Sequence, residues 1–184
     1  MVSDAVFTGM SSAEGTSVKT EEDNSLKSIL NGTTIPIAYK MGYVLNHYRE
    51  PSFRAIEREY GITRPEIVML IFLVHREGIT ANDICEFSGH LKPNMSRAAI
   101  ALNQKGLIVR RADTTDQRRQ LLFLTDAGRQ LHARFMPTLE ERERAMLACF
   151  SAREAQQFER LLNKLGDHVP EWAAVCPLTA ADPG

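Results

Sequence analysis

Cysteine is scarce in this chain. Cys85, Cys149 and Cys176 are the three in 184 residues, and their spacing is irregular. That argues against a disulfide scaffold and against a Cys-rich zinc site, and it fits a reducing cytoplasm. Histidine is equally dispersed: His47, His75, His90, His132 and His168 include no H-x-x-x-H pair. No P-loop, G-x-G-x-x-G or G-x-S-x-G occurs, so an enzyme reading finds little support and no cofactor is expected. Long apolar runs are missing too. The longest, Ile67 to Val74, has the length of a buried helix segment, not of a membrane span. The first thirty residues hold no apolar signal core, so neither a secretory peptide nor a membrane partner is expected. The 43% hydrophobic content is that of a globular protein, long enough for one domain with a sizeable core.

What is present is organised around Thr80 to Thr125. A short helix, Ala81 to Phe87, capped by Thr80, leads to a turn at Ser88-Gly89. A second helix opens at Lys92-Pro93, where a proline in the first turn loses no helical hydrogen bond, and it stops at Gly106. Met95, Ala99 and Leu102 recur at helical spacing and face a core. Asn94, Ser96, Arg97 and Ala101 are left outward, small and polar enough for the helix to lie deep in a major groove. Asn pairs with adenine edges, and Arg with guanine or phosphate. The β-formers Leu107-Ile108-Val109 and Leu121-Leu122-Phe123-Leu124 follow, joined by a cation-rich turn from Arg110 to Arg119. The expected fold is mainly α with a small β-hairpin wing: a winged helix-turn-helix plus a helical dimerisation region.

Charge supports this reading. From Ser88 to Gln120 there are seven Lys/Arg and two Asp, a local charge of +5 in a chain whose net charge is −1. A charge run is usually only a solvated face. Here it sits on a hairpin beside a candidate recognition helix, the electrostatic footprint of a DNA-binding surface.

Several stretches carry a family resemblance. Lys92-Pro93-Asn94-Met95-Ser96-Arg97, Gln104-Lys105-Gly106-Leu107-Ile108, Asp116-Gln117-Arg118-Arg119 and Leu124-Thr125-Asp126-Ala127-Gly128 resemble the MarR family of bacterial transcription regulators. The resemblance covers roughly Ile35 to Leu165. It implies that Arg118 sits at the wing tip and enters the minor groove, held by an ion pair with Asp116; a narrow A·T-rich minor groove attracts Arg. The candidate DNA-binding residues are Lys92, Asn94, Ser96, Arg97, Arg111, Asp116, Arg118 and Arg119. The resemblance further implies a homodimer, built by the first helix and the last two, whose readers reach the half-sites of a pseudo-palindromic double-stranded operator. It also implies a small-molecule effector, often an aromatic acid or phenol. Candidate ligand residues are Tyr39, Tyr43, His47 and His75; the bland alternative makes the aromatic ones core and dimer packing.

The remaining segments fit around that centre. Residues 1–31 are polar and acidic and read as a mobile arm. Residues 32–61 and 125–175 form the dimerisation region, 62–124 the DNA-binding domain, and 176–184 a tail. Ile35 to Tyr60 reads as helix with a kink or break near Glu50-Pro51, Ser52 capping its continuation and Gly61 ending it. Thr63-Arg64-Pro65-Glu66 is a capping box that starts a helix ended near Arg76-Gly78. Thr125 caps a long helix that Pro137 kinks or splits, and Ser151 to Glu154 is another capping box, opening a helix ended by Gly166. Val169 to Gly184 reads as an extended tail anchored by Trp172 on the dimer core. Cys85 reads as buried and inert, and the sensor cysteine of the peroxide-sensing branch of the family has no counterpart near the first long helix. Two rivals stay open. One is a metal- or thiol-responsive regulator of the same fold, through scattered His and carboxylates or through Cys149 or Cys176. The other is a dimeric interaction protein without DNA binding.

Overall fold

A computed structural model describes residues 28, 29 and 31–175. The arm up to residue 27, the tail 176–184 and Cys176 lie outside the described residues. The chain divides into two compact units, Met1–His47 and Tyr48–Gly184. In chain order the elements are α1 (Pro36–Tyr60), α2 (Arg64–His75), α3 (Ala81–Ser88), α4 (Lys92–Gln104), β1 (Ile108–Ala112), β2 (Gln120–Leu124), α5 (Asp126–Leu147), α6 (Ala152–Asp167) and α7 (Val169–Ala173). Among the described residues no helix is long and apolar enough to cross a membrane.

Local chemistry sets most boundaries. Thr80 Oγ1 accepts from Asp83 N at 3.2 Å, and Asp83 Oδ2 accepts from Thr80 N at 2.7 Å, a reciprocal box at the start of α3. Gly89 ends α3 at φ +68°, a left-handed position that suits glycine. Thr125 Oγ1 caps α5 through Gly128 N at 3.1 Å, and Ser151 opens α6 through Glu154 N.

The core belongs to the larger unit. Ile56, Ile62, Ile67, Leu70, Leu73, Ile84, Met95, Leu102, Ile108, Leu122 and Phe135 are almost fully buried there. β1 and β2 pair antiparallel from Ile108↔Leu124 to Ala112↔Gln120. An isolated bridge, Ile79↔Leu122, adds a third partner: Gly78 N and Leu122 N donate to Leu122 O and Ile79 O, each at 2.9 Å. The segment before α3 thus fastens the wing to the helix-turn-helix, a pairing the sequence reading did not foresee. Gly128 lets α5 press against the wing base. A Cβ there would lie 3.1 Å from the Leu107 carbonyl carbon, closer still to its oxygen, and 3.0 Å from Leu124 Cδ2.

Four local expectations need correction. α1 runs through Pro51 without a break, and Ser52 is inside it rather than capping a new helix. Just beyond the proline Ser52, Phe53 and Ile56 are buried and hold the helix on the core, and Tyr48 O accepts from Arg142 Nε at 3.0 Å and from Ser52 Oγ at 3.3 Å. α5 likewise continues through Pro137, because Leu131, Phe135 and Leu139, buried on both sides of it, hold the two halves on one face. Burying two or three such side chains, at about 1.5–3 kcal/mol each, outweighs the roughly 3 kcal/mol cost of an interior proline. α6 passes Gly166 and ends at Asp167. Val169–Ala173 is a short helix rather than extended chain, with Pro170 in its first turn; Trp172 is about half exposed, its indole N–H donating to Leu165 O at 3.3 Å.

Candidate nucleic-acid interface

α4 packs against α2 and α3 through Met95, Ala98, Ala99 and Leu102, all buried. That pins the opposite side outward. Lys92, Ser96 and Arg97 are exposed and Asn94 is half-buried. Arg97 lies back along its own helix, Nη2 donating to Asn94 Oδ1 at 2.8 Å and Nε to Pro93 O at 3.3 Å. The pair is therefore pre-arranged on one edge of the helix, near its N-terminus, where unpaired amides and the helix dipole favour an anion.

The wing extends beside this edge. Arg110 and Arg111 belong to β1 and not to the turn, which spans residues 113–119. Arg111 covers the Phe123 ring, its guanidinium carbon 4.8 Å from the centroid. Two Asp residues shape the turn. Asp113 Oδ1 accepts from Thr115 N at 2.9 Å and Thr115 Oγ1 at 2.8 Å, and these bonds hold its carboxyl below the usual range. Asp116 Oδ1 accepts from Arg118 N at 3.0 Å, while Asp116 O accepts from Arg119 N at 2.9 Å. Asp116 therefore holds Arg118 through its backbone amide, and the expected side-chain ion pair is absent among the described residues. The physical effect is similar: the backbone is fixed and the guanidinium stays available. Arg119 leans toward Asp83 of α3 at 3.9 Å.

Between wing and reader lies a cleft of about 450 Å³. Ser96, Ala99 and Ile100 of α4 form one wall, Asn82 and Asp83 of α3 contribute to another, and Arg110, Arg118 and Arg119 supply the cations. Of the sequence candidates, Ser96, Arg118 and Arg119 meet at this cleft. Lys92, Asn94 and Arg97 stand on α4, with Asn94 and Arg97 beside a second, smaller hollow between α4 and the start of α2. Arg110 was not singled out, although its alternation with Arg111 along a strand was the available signal.

The ligand candidates fall in two places. Tyr39, Tyr43 and His47 share one face of α1, with Tyr43 and His47 rings 4.2 Å apart and His47 Nδ1 2.8 Å from Tyr43 O. Ile35, Ala38, Tyr39, Gly42, Tyr43 and Asn46 line a shallow groove of about 510 Å³ there. His75 ends α2 in the larger unit, exposed, with His132 of α5 nearby. His132 Nε2 is buried without a hydrogen-bond partner, and burial, helped by His75, lowers its pKa. Burial pushes the Cys85 thiol up, which leaves it protonated and unreactive. No group of three or more His, Cys, Asp or Glu converges among the described residues.

An exposed polar reader helix flanked by a cationic hairpin, both fixed on one helical core, defines a winged helix-turn-helix protein. Comparison places it further. A family model described as MarR family matches residues 60–119. The homoprotocatechuate degradative operon repressor of Escherichia coli is 26% identical over 112 residues, covering 61% of this chain and 76% of that protein. The solved structure of the Mycobacterium tuberculosis MarR family protein Rv2887 in complex with p-aminosalicylic acid superposes with a TM-score of 0.58 at 26% identity, covering 71% of this chain and 98% of that one. The S. aureus MepR–DNA complex gives 0.61 at 26%, covering 70% and 94%. Residues 60–119 thus match the reader of MarR-family regulators, and the likeness to a repressor and to a DNA-bound relative supports a DNA-binding transcription regulator.

Proposed function

We propose that the protein is a homodimeric repressor that binds a pseudo-palindromic operator and is released by a small aromatic acid or phenol. The observation that carries the reading is the common placement of Ser96, on the exposed side of α4, and the wing cations Arg110, Arg118 and Arg119 around one cleft. α4 enters the major groove, where Asn94 and Arg97 read bases and Lys92 meets phosphate; Arg118 reaches the adjacent minor groove. Arg111 adds field along the backbone, Arg119 adds less because Asp83 faces it at 3.9 Å, and Asp116 keeps the wing tip in shape. The MepR complex with DNA and the repressor of the homoprotocatechuate operon support the same assignment.

Dimerisation rests on exposed apolar side chains. Phe158, Leu161, Leu162 and Leu165 of α6 are 38–49% exposed in one protomer, as are many residues of α1. A soluble monomer rarely leaves such a stripe open, so a second copy covers it. Residues 32–61 and 125–175 form this dimer region, and 62–124 the reader. The effector is proposed for the Tyr39–Tyr43–His47 face, whose rings suit an aromatic ligand, and His75 of the larger unit is a separate candidate; Rv2887 holds p-aminosalicylic acid. Binding would favour a reader spacing that no longer matches the operator.

The test is a fluorescence-anisotropy titration against duplex DNA from upstream of the protein's own gene, with an unrelated duplex as control, at several salt concentrations. Tight, salt-dependent preference for the upstream duplex is expected, together with strong weakening by Arg118→Ala in a dimer that stays intact. No binding to either duplex at low salt would leave a dimeric interaction protein as the better reading.

A further inference from the structure

Lys105 stands among the cations of the reader segment, yet its surroundings set it apart. It caps α4 at the C-terminal end, opposite to Lys92 and about 20 Å away at 1.5 Å per residue. Its ammonium makes three bonds: to Glu66 Oε1 at 2.8 Å, Glu66 Oε2 at 3.0 Å and Gly61 O at 2.9 Å. Glu66 is 1% exposed. Gly61 sits at φ +64° just past the end of α1, so its carbonyl is among those a helix end leaves without an internal partner. Glu66 lies in the first turn of α2 and also accepts from Thr63 N at 2.5 Å. One ammonium thus joins the end of α1, the start of α2 and the end of α4.

We propose that Lys105 is a positioning residue: through Glu66 and Gly61 it sets the placement of the recognition helix, and it is not one of the cations that meet DNA. The proposal rests on the reading that α4 enters DNA. A buried carboxylate needs a partner, and Lys105 supplies it. The Lys105 charge is therefore already compensated. Its three donors are used, and it sits at the end of the helix remote from the residues that face bases. What it offers the reader is register. With Lys105 in place the N-terminal edge of α4 keeps a fixed angle to the α1–α2 corner; without it that edge can shift away from the bases.

Salt dependence separates the two roles. A lysine bound to phosphate releases counterions, so its loss lowers the slope of log K against log salt by about 0.9 per phosphate contact. A positioning lysine leaves the slope alone. The experiment uses the full chain, with Glu66→Gln/Lys105→Met to remove both charges together and Lys105→Arg to keep charge and fold. Each is titrated against the upstream duplex and the unrelated duplex at several salt concentrations, with thermal unfolding to verify folding. For the double variant the expected result is operator affinity about tenfold weaker, the loss of roughly one base contact, with unchanged slope and unchanged binding to the unrelated duplex. For Lys105→Arg the expected result is a loss of operator affinity of about threefold or more, because the broader guanidinium does not reproduce the three-way contact. A slope that falls by about one unit per protomer would make Lys105 a phosphate contact and overturn the proposal. So would unchanged operator affinity in both variants. If the wild type binds neither duplex, the DNA reading itself fails and this proposal with it.

Discussion

Gly128→Ala should destabilise the protein, although Gly128 lies in the first turn of a helix where alanine is the better residue. On helix propensity alone the change would stabilise by up to about 1 kcal/mol. The local structure reverses the sign. The new methyl would stand 3.1 Å from the Leu107 carbonyl carbon, nearer to its oxygen, and 3.0 Å from Leu124 Cδ2. Leu124 could yield by a rotamer, but the Leu107 carbonyl cannot, because its oxygen accepts from Thr125 N at 3.1 Å. α5 would have to move off the wing base, weakening that bond and the Thr125 Oγ1 cap on Gly128 N at 3.1 Å. Overpacking of this kind costs about 1–3 kcal/mol. For a chain of this size that is a fall in Tm of roughly 2–12 °C. Calorimetry or circular-dichroism melts of wild type and variant at equal protomer concentration measure it. A variant with equal or higher Tm would show that the α5–wing approach is looser than described.

Three further outcomes are expected. His132 has a lowered folded pKa with burial as the main cause, so the unfolded chain binds the proton more readily; stability from this group is full above the ordinary value of 6.5 and is lost as pH falls below it. Tm should therefore drop between pH 7.5 and 5.5, and His132→Gln should flatten that part of the profile; identical profiles would remove His132 as the cause. Leu165→Glu should shift the protein from dimer to monomer in light scattering coupled to gel filtration, since it places a charge on the exposed α6 stripe; an unchanged dimer would move the interface elsewhere. Finally, two of the seven cations between Ser88 and Gln120 face acids: Lys105 pairs with Glu66, and Arg119 approaches Asp83. The five others on each protomer bound the salt slope of operator binding at about −9 for a dimer, where seven would allow about −13; a slope steeper than −9 would mean the paired cations also meet phosphate.

Those features were legible in the sequence whose causes are local. The cap at Thr80 and the box at Ser151 are formed by residues three apart, so the letters contain the whole interaction. The reader helix followed from Pro93 in its first turn, from Gly106 past its end and from the spacing of Met95, Ala99 and Leu102. Errors arose where a distant group overrules a local rule. Pro51 stays inside a helix because Phe53 and Ile56, just beyond it, are buried in a core whose other members come from far along the chain. The wing turn was misjudged differently: Asp116 lies two residues before Arg118, and from spacing alone a side-chain ion pair and a bond to the backbone amide look the same. Arg110 and Arg111 were assigned to the turn because arginine is no strong β-former; the register Arg110↔Leu122 and Arg111↔Leu121 places them in the strand.

Charge shows the limit most clearly. The sequence permits a count of cations, and the local charge of +5 singles out the segment from Ser88 to Gln120. It cannot separate a cation held by the protein from one offered to a ligand. Lys105 is 39 residues from Glu66, and nothing in the intervening letters marks the pair. A basic segment in a winged helix therefore contains two populations. Lys92 and Arg118 keep their charge exposed for a partner, while Lys105 spends its hydrogen bonds inside the fold. The two act on DNA binding in different ways. Exposed cations raise affinity for every duplex through counterion release, and an internal one raises it only for the duplex whose bases match the helix it holds in place.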